Sequence, residues 1–137
     1  MFEASNIAYL WKLPCVYLCE NNKYGMGTSV ERASNTTEFH KRLGIVPGFD
    51  VDGLNVFAVK EAIQWAKENC PVIGPICLNV HTYRYHGHSM SDPGVTYRTR
   101  DEVSFFRKEK DCIEYVKRMC IENNLLTAAE IKVLFFV

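Results

Sequence analysis

The first block of the hydrophobic pattern predicts a helix followed by a strand. Apolar side chains recur at helical spacing through residues 2–12, and Pro14 ends the run. The next segment, "CVYLC" at 15–19, is rich in strand formers and predicts a buried strand of a parallel sheet. A second segment of this kind, "PICLNVHTY" at 75–83, predicts another buried strand. The apolar positions of the helix are Phe2, Ile7, Leu10 and Trp11.

Between these two strands the pattern predicts two more helices and a short strand. Residues 36–44 fit a short helix capped by Thr36 and ended by Gly44. The segment "GFDVDG" indicates a short strand that runs into a turn. Asn55 is then placed to cap an amphipathic helix. The apolar face of that helix carries Val59, Ala62, Ile63 and Ala66.

The C-terminal part of the chain is predicted to be helical. "TRDE" at 99–102 is typical of a capping box, and residues 103–120 show helical periodicity. "TAAE" at 127–130 predicts the start of a last helix in the same way. The alternation of helices and strands favours a layered α/β fold with a mostly parallel sheet flanked by helices.

The predicted domain, residues 1–137, is a single one and is expected to be incomplete at its N- and C-terminal ends. The chain opens inside a predicted helix, and it closes on the apolar run "VLFFV". A sheet with so few strands would expose a hydrophobic edge. We therefore expect this sequence to form part of a larger domain.

Composition excludes several classes of protein. Of the 137 residues, 47% are hydrophobic and 23% are charged, as in ordinary globular domains. Sixteen basic residues balance sixteen acidic ones, so no overall field favours nucleic acid or an anionic membrane. No apolar run reaches the roughly 20 residues that span a bilayer. We expect no nucleic-acid partner and no membrane partner.

The six cysteines are predicted to be structural thiols in a reducing compartment. No C-x-x-C pair occurs, and most of the cysteines fall in apolar runs such as "PCVYLCE". Free cysteine is among the residues most often buried.

Two loops leave the carboxyl ends of the predicted strands, where parallel sheets bind their ligands, so we expect the loops to face one another across a site. The first is "ENNKYGMGTS". Asn22 offers a side-chain oxygen and Tyr24 a backbone carbonyl, the hard oxygen ligands that Mg²⁺ prefers. The alternative is a plain turn, which Asn and Gly also favour.

The second loop, "TYRYHGHSMSDPGVTYRTR" at 82–100, concentrates titratable side chains. Gly87 permits close approach of the backbone to a ligand, and His86 and His88 flank it. The arginines Arg84, Arg98 and Arg100 are suited to phosphate or carboxylate. The alternatives are a zinc site formed by His81, His86 and His88, and a solvated loop without a role.

Hydroxyl groups in these basic surroundings are candidates for phosphorylation. A phosphate would add about two negative charges beside the predicted site. The candidates are Ser29, Ser89, Ser91 and Thr96.

The segments "ENNKYGMGTSVERAS" and "YRYHGHSMSDPGVTYRTR" closely resemble the alpha subunits of the pyruvate dehydrogenase component of mitochondrial pyruvate dehydrogenase complexes. The resemblance runs from Phe2 to about Lys132. It implies a thiamine-diphosphate-binding fold and the oxidative decarboxylation of pyruvate, with acetyl transfer to a lipoyl group. The second segment favours pyruvate over branched-chain 2-oxo acids.

The resemblance also implies roles for individual residues. The family binds thiamine diphosphate through Mg²⁺, with Asn22 and Tyr24 as metal ligands. His88 and His86 match catalytic positions in the second loop. Arg84 and Tyr85, with His86, order that loop, and the cofactor-binding residues are Asn22, Tyr24, Arg84, Tyr85 and His88.

Regulation and partners follow from the same resemblance. The family is inactivated by phosphorylation at positions that match Ser29 and Ser89, and at a third position that is Thr96 here. The implied partners are the beta subunit in a heterotetramer, the lipoyl domain of dihydrolipoyl acetyltransferase, and a regulatory kinase and phosphatase. The implied location is the mitochondrial matrix.

The sequence departs from the family in two ways. The family's cofactor motif opens with Gly-Asp-Gly, whose Asp is a Mg²⁺ ligand, and this chain contains no such tripeptide. The activating glutamate belongs to the beta subunit. The chain alone is therefore expected to be inactive, and the alternative function is a truncated, non-catalytic protein that binds the complex or its kinase.

Overall fold

A computed structural model describes residues 1–134 of the chain, and Phe135, Phe136 and Val137 of the predicted apolar end lie outside the described residues. Three parallel strands form the main sheet: β1 (Val16–Asn21), β4 (Gly48–Asp52) and β5 (Ile76–His81). Their order is β1-β5-β4, with β5 at the centre. Residues 24–29 form a small antiparallel hairpin of two strands, β2 (Tyr24–Gly25) and β3 (Thr28–Ser29).

The helices lie before, between and after these strands. They are α1 (Phe2–Leu10), α2 (Val30–Ala33), a 3₁₀ helix (Phe39–Leu43), α3 (Val56–Ile73), α4 (Arg100–Phe105), a π-helical segment (Phe106–Lys110), α5 (Cys112–Glu122) and α6 (Ala128–Leu134). This mixed α/β architecture, with a parallel sheet flanked by helices, confirms the predicted fold class. No helix within residues 1–134 has the length and apolar character needed to cross a bilayer.

The core is built around β5, which is buried along almost its whole length. Ile76, Leu78 and Val80 pack against Ala66 and Cys70 of α3. Burial on both faces explains why the segment reads as one continuous apolar run rather than an alternating one. The prediction of a buried strand is confirmed here, although the strand ends at His81.

The predicted cap of α3 is also confirmed. The Asn55 side-chain oxygen accepts hydrogen bonds from the N–H groups of Phe57 (3.0 Å) and Ala58 (3.3 Å). Ala62 and Ala66 of the predicted apolar face are buried, but Ile63 is 40% exposed. Ile63 nevertheless lies on the predicted face, since it lines a cavity against the sheet together with Val59, Ala62 and Leu78.

The prediction of a buried first strand is wrong within the described residues. β1 is an edge strand, and its face carrying Val16 and Leu18 is open, with Leu18 47% exposed. α1 shows the same reversal, since its buried residues are Ser5 and Ala8 whereas Trp11 is 67% exposed. Periodicity identified these elements, but it could not show which face has a partner.

Two predicted helices have different forms. Residues 36–44 contain a 3₁₀ helix that starts at Phe39, and the Thr36 hydroxyl only accepts a local bond from the Glu38 N–H (3.2 Å). The predicted helix at 103–120 breaks at Asp111, whose extended backbone ends the π-helical segment. The Asp111 carboxylate then caps α5.

The six cysteines are all free thiols. Cys70 and Cys77 are buried, as predicted, and burial raises the pKa of both thiols. Cys112 is exposed, so the prediction of a buried structural thiol is wrong at that position.

Candidate functional site

The first loop turns sharply after β1 and is held by its own asparagines. The Asn21 side-chain oxygen accepts from the Lys23 N–H (3.1 Å), and the Asn22 side-chain oxygen accepts from the Tyr24 N–H (3.1 Å). The Lys23 carbonyl accepts from the Val30 N–H (3.0 Å), which closes the hairpin. Lys23 itself has a left-handed backbone, with φ 72°. The turn therefore carries two candidate ligand oxygens, the Asn22 amide and the Tyr24 carbonyl, one on each side of Lys23.

The second loop, residues 82–99, is folded around Arg98. This side chain is only 5% exposed, and it donates to the carbonyls of Gly94 (2.9 Å), His86 (2.7 Å) and Arg84. Its guanidinium also lies 5.3 Å from the centre of the Tyr83 ring. The prediction that Arg98 clamps an anion is wrong, because its donors are engaged inside the loop.

Asp92 closes the tip of the second loop. Its carboxylate accepts from the N–H groups of His88 (2.8 Å) and Gly94 (2.8 Å) and from the Tyr97 hydroxyl (2.7 Å). The hydrogen bond from the His88 backbone, followed by that from Tyr97, lowers the pKa of Asp92 to about 2. A side chain at Gly87 would collide with the Asp92 carbonyl oxygen, so the closed tip requires glycine there.

Arg84 joins the two loops. Its guanidinium donates to the carbonyls of Met26 (2.7 Å) and Tyr24 (3.4 Å) in the first loop, and to the Tyr97 hydroxyl (2.9 Å) in the second. The rings of Tyr24 and Tyr97 lie 5.4 Å apart, which adds an aromatic contact. The expectation that the two loops face one another at the carboxyl ends of the strands is confirmed.

Glu102 anchors the second loop to α4. Its carboxylate accepts from the hydroxyls of Tyr83 (2.9 Å) and Tyr24 (3.4 Å). Burial, together with the hydrogen bond to this carboxylate, raises the pKa of Tyr83 to about 12. The predicted capping box is half formed, since the Thr99 hydroxyl accepts from the Glu102 N–H (3.1 Å) while the Glu102 carboxylate meets the tyrosines.

Tyr85 makes a similar contact with the start of α5. Its hydroxyl donates to Asp111 (3.0 Å), and burial followed by this bond raises the pKa of Tyr85 to about 12. The Arg107 guanidinium lies 5.3 Å from the centre of the Tyr85 ring. Tyr85 therefore holds the loop against the π-helical segment and the start of α5.

Sequence reasoning missed four residues that shape the site: Lys23, Asp92, Tyr97 and Asp111. Two of them had a local signal. Asp92 stands in "SDPG", a strong turn sequence, and Asp111 precedes an apolar helical run at an N-cap position. The contacts of Lys23 and Tyr97 are long-range and leave no such signal.

The two catalytic candidates of the second loop lie at its surface. His88 is exposed, and its side chain makes no hydrogen bond within residues 1–134. His86 is also exposed, and its ring nitrogen lies 3.5 Å from an Arg107 nitrogen. A free imidazole at a loop tip is available to a ligand that enters between the loops.

The zinc alternative has no support in the described residues. His81 faces Lys23 and Asp50 rather than His86 and His88. Across residues 1–134, no group of three His, Cys, Asp or Glu side chains is arranged to hold a metal ion.

The two oxygens of the first loop fit a partial Mg²⁺ site. Each accepts one hydrogen bond, from the Tyr24 N–H and from Arg84, and so retains a second lone pair. Mg²⁺ takes about six oxygens and usually draws several from phosphate and water. Asn22 and Tyr24 therefore offer two of the hard oxygens that Mg²⁺ prefers. The nearby Arg84 guanidinium adds positive charge, which suits an accompanying diphosphate.

The predicted phosphorylation sites differ in access. Ser89 and Thr96 are exposed in the second loop, and the Ser89 hydroxyl lies 3.0 Å from that of Ser91. Ser29 is half-buried in β3, where it pairs with Tyr24.

Comparison with known proteins found a matching family and similar proteins. The family model for the dehydrogenase E1 component matches residues 1–134. The chain is 56% identical over 132 residues to the mitochondrial pyruvate dehydrogenase E1 component subunit alpha-1 of Oryza sativa subsp. japonica, covering 96% of this chain and 34% of that protein. It is 51% identical over 133 residues to the somatic-form mitochondrial subunit alpha of Homo sapiens, again with 96% and 34% covered. The chain thus spans about a third of the length of these relatives.

Proposed function

The chain belongs to the dehydrogenase E1 component family, and on that premise we propose that it forms part of a pyruvate dehydrogenase alpha subunit. In this role it would contribute to the thiamine-diphosphate-dependent oxidative decarboxylation of pyruvate, with acetyl transfer to lipoyl groups. The observation that carries the proposal is the junction of the two loops through Arg84, which sets the Asn22 and Tyr24 oxygens beside the loop that bears His88.

Asn22 and Tyr24 are the proposed Mg²⁺ ligands, and the metal would hold the diphosphate of the cofactor. When bound, thiamine diphosphate supplies the electron sink that decarboxylation of a 2-oxo acid needs. Arg84 and Tyr85 serve the cofactor mainly by ordering the second loop, since both side chains bond to protein groups. His88, whose ring is unengaged within the described residues, is the group best placed to bind a reactant.

His86 has a different proposed role from His88. Its carbonyl accepts hydrogen bonds from Arg98 (2.7 Å) and Arg84 (3.2 Å), so its backbone is fixed. The ring, close to Arg107, can then hold or release a proton at the loop surface while the loop itself stays in place.

Phosphorylation is proposed at Ser29, Ser89 and Thr96. At Ser89 the physical effect follows from the structure of the loop tip. The Ser89 carbonyl accepts a hydrogen bond from the Asp92 N–H (3.1 Å), and the Asp92 carboxylate accepts one from the N–H of the neighbouring residue, His88. A phosphate there would add negative charge beside a carboxylate that is already ionised. Like-charge repulsion would open the tip and displace His88.

The proposed partners are those that the resemblance of the two loops to the family implies. They comprise a beta subunit, a lipoyl domain of dihydrolipoyl acetyltransferase, and a kinase and phosphatase acting on the two loops. Because the relatives are named mitochondrial, we propose a mitochondrial location, in the matrix. The alternative, a non-catalytic binding protein, has no observation of its own in the structure.

The test is decarboxylation of pyruvate by the native polypeptide assembled with its beta subunit. Replacing His88 by alanine should lower kcat/KM at least about 10²-fold, because the group proposed to bind and position the reactant is lost. Lys60→Met, on the exposed face of α3, serves as a control outside the loop. If wild-type protein releases no carbon dioxide from pyruvate yet is phosphorylated by the kinase, the proposed activity is wrong and the non-catalytic alternative is supported.

A further inference from the structure

The ammonium group of Lys23 contacts the ring of His81. Lys23 lies in the first loop, between the two proposed metal ligands, and its Nζ is 2.7 Å from His81 Nδ1. An ammonium group can only donate, so Nδ1 must accept and the ring proton must sit on Nε2. His81 Nε2 lies 2.7 Å from Asp50 Oδ1. The three side chains therefore form a directed chain from Lys23 through a neutral His81 to the Asp50 carboxylate.

The Asp50 end of this chain is fixed in the sheet. Asp50 pairs in register with Asn79, whose side-chain nitrogen donates to the Asp50 carboxylate at 2.6 Å. Asn79 is fully buried, and His81 follows it by two residues on the same face of β5. His40 Nδ1 lies 3.3 Å from the second carboxylate oxygen, outside hydrogen-bond geometry. Although burial opposes it, hydrogen bonds from His81 and Asn79 lower the pKa of Asp50.

The Lys23 end of the chain lies where the backbone needs support. Lys23 has a left-handed φ of 72°, a conformation that costs energy for any residue with a side chain. Its N–H is bonded to Asn21, its carbonyl to Val30, and its side chain to His81. Every polar group of Lys23 is thus committed to holding one backbone geometry.

We propose that Lys23 and His81 are positioning residues, which hold the turn that carries Asn22 and Tyr24 in the conformation that presents both oxygens to one cation. This inference rests on the proposed function, because it assigns a purpose to the metal ligands named there. The Asp50–His81–Lys23 chain is a brace between the central strand and the ligand turn, distinct from the ligands themselves.

The brace also fixes where the charge of Lys23 lies. A free ammonium beside a Mg²⁺ site would repel the metal, and the repulsion falls with distance. The contact with His81 holds the Lys23 ammonium group at the sheet, where His81 links it to the Asp50 carboxylate. A lysine in the middle of a cation-binding turn is thereby made compatible with the cation.

The test uses variants of the native polypeptide, at whatever length the cell produces it. His81→Leu removes both hydrogen bonds, whereas His81→Gln keeps a donor for Asp50 and an acceptor for Lys23. Lys60→Met, on the exposed face of α3, removes one positive charge elsewhere. Hydrogen exchange of the Tyr24 and Val30 amides is measured without cofactor, and Mg²⁺ titration at saturating thiamine diphosphate gives the apparent metal affinity.

In His81→Leu the Tyr24 and Val30 amides should exchange about tenfold faster, and the apparent Mg²⁺ affinity should fall by about tenfold, as loss of the charge-assisted hydrogen bond that holds Lys23 implies. His81→Gln should restore both values, and Lys60→Met should change neither. Unchanged exchange in His81→Leu, or failure of His81→Gln to restore it, would overturn the brace. Absence of Mg²⁺-dependent cofactor binding in the wild type would instead refute the proposed function, and the exchange result would still decide whether the brace exists.

Discussion

Replacing Arg98 by lysine is expected to open the second loop while the sheet stays folded. The Arg98 guanidinium is almost completely buried and donates to three backbone carbonyls, those of Gly94 (2.9 Å), His86 (2.7 Å) and Arg84. Lysine keeps the positive charge but lacks the planar fork of donors. Because its donors all sit on one nitrogen atom, the lysine ammonium group can reach about one of the three carbonyls.

The size of the effect follows from the bonds that are lost. Two charge-assisted hydrogen bonds disappear, each worth about 1.5–3 kcal/mol. The loop surface around His86 is exposed, so the freed carbonyls regain part of their hydration. We therefore expect the opening free energy of the loop to fall by about 3 kcal/mol, which is roughly a 10²-fold change in the opening equilibrium.

Hydrogen exchange of the His88 and Gly94 amides measures this opening directly, because both donate to Asp92 only while the tip is closed. In Arg98→Lys both should lose about 10²-fold of their protection, following the ~3 kcal/mol above. Amides of β5 should be unaffected. Arg118→Lys is the matched control, because Arg118 forms an exposed ion pair with Glu109, with 3.8 Å between the charged atoms. Equal exchange at the loop tip in Arg98→Lys and wild type would refute the assignment of Arg98 as its anchor.

Tyrosine titration, charge at Ser89 and the cap of α3 give three more tests. The pKa of Tyr83 is raised to about 12 by burial and by Glu102, so its contribution to stability is complete below an ordinary tyrosine pKa of about 10 and is lost as the pH rises through about 12. Tyr83→Phe should remove one high-pH transition from the ultraviolet titration, and an unchanged curve would contradict this reasoning. Ser89→Glu should speed exchange of the loop amides through repulsion from Asp92, less so at high salt, and a salt-independent result would rule out repulsion. Asn55→Ala should lower the free energy of unfolding in urea by about 1 kcal/mol while Asn55→Asp should not, and equal stability of all three proteins would show that the cap contributes nothing.

Local signals predicted the elements that depend on local chemistry. The apolar run of β5 and the cap at Asn55 were read correctly because burial on both faces and a side-chain bond to the first helical turn each leave a mark in adjacent residues. The meeting of the two loops was also predicted, because parallel strands share one carboxyl edge.

Burial of α1 and β1 could not be predicted from the same pattern. Leu10 and Leu18 lie at apolar positions of regular elements, yet both are exposed in residues 1–134. Periodicity shows that a face is apolar, but it does not show what covers that face.

The internal organisation of the second loop was beyond sequence reasoning for a different reason. Arg98 was interpreted as an anion clamp, and the same guanidinium chemistry serves backbone carbonyls equally well. His81 was considered for zinc, whereas its neighbours are Lys23 and Asp50, 58 and 31 residues away in the chain. Which partner a versatile side chain takes is decided by long-range packing.

The most direct test of the account is Mg²⁺-dependent binding of thiamine diphosphate to the native protein, measured by calorimetry with wild type, Asn22→Ala and Asn69→Ala. Asn69 is a half-buried asparagine of α3 whose side chain bonds only to its own helix, so it controls for loss of an amide. The account predicts saturable binding that requires Mg²⁺, weakened at least about tenfold in Asn22→Ala through loss of a ligand oxygen, and unchanged in Asn69→Ala. Binding of equal strength in Asn22→Ala and wild type would contradict the assignment of the first loop as the metal-binding turn.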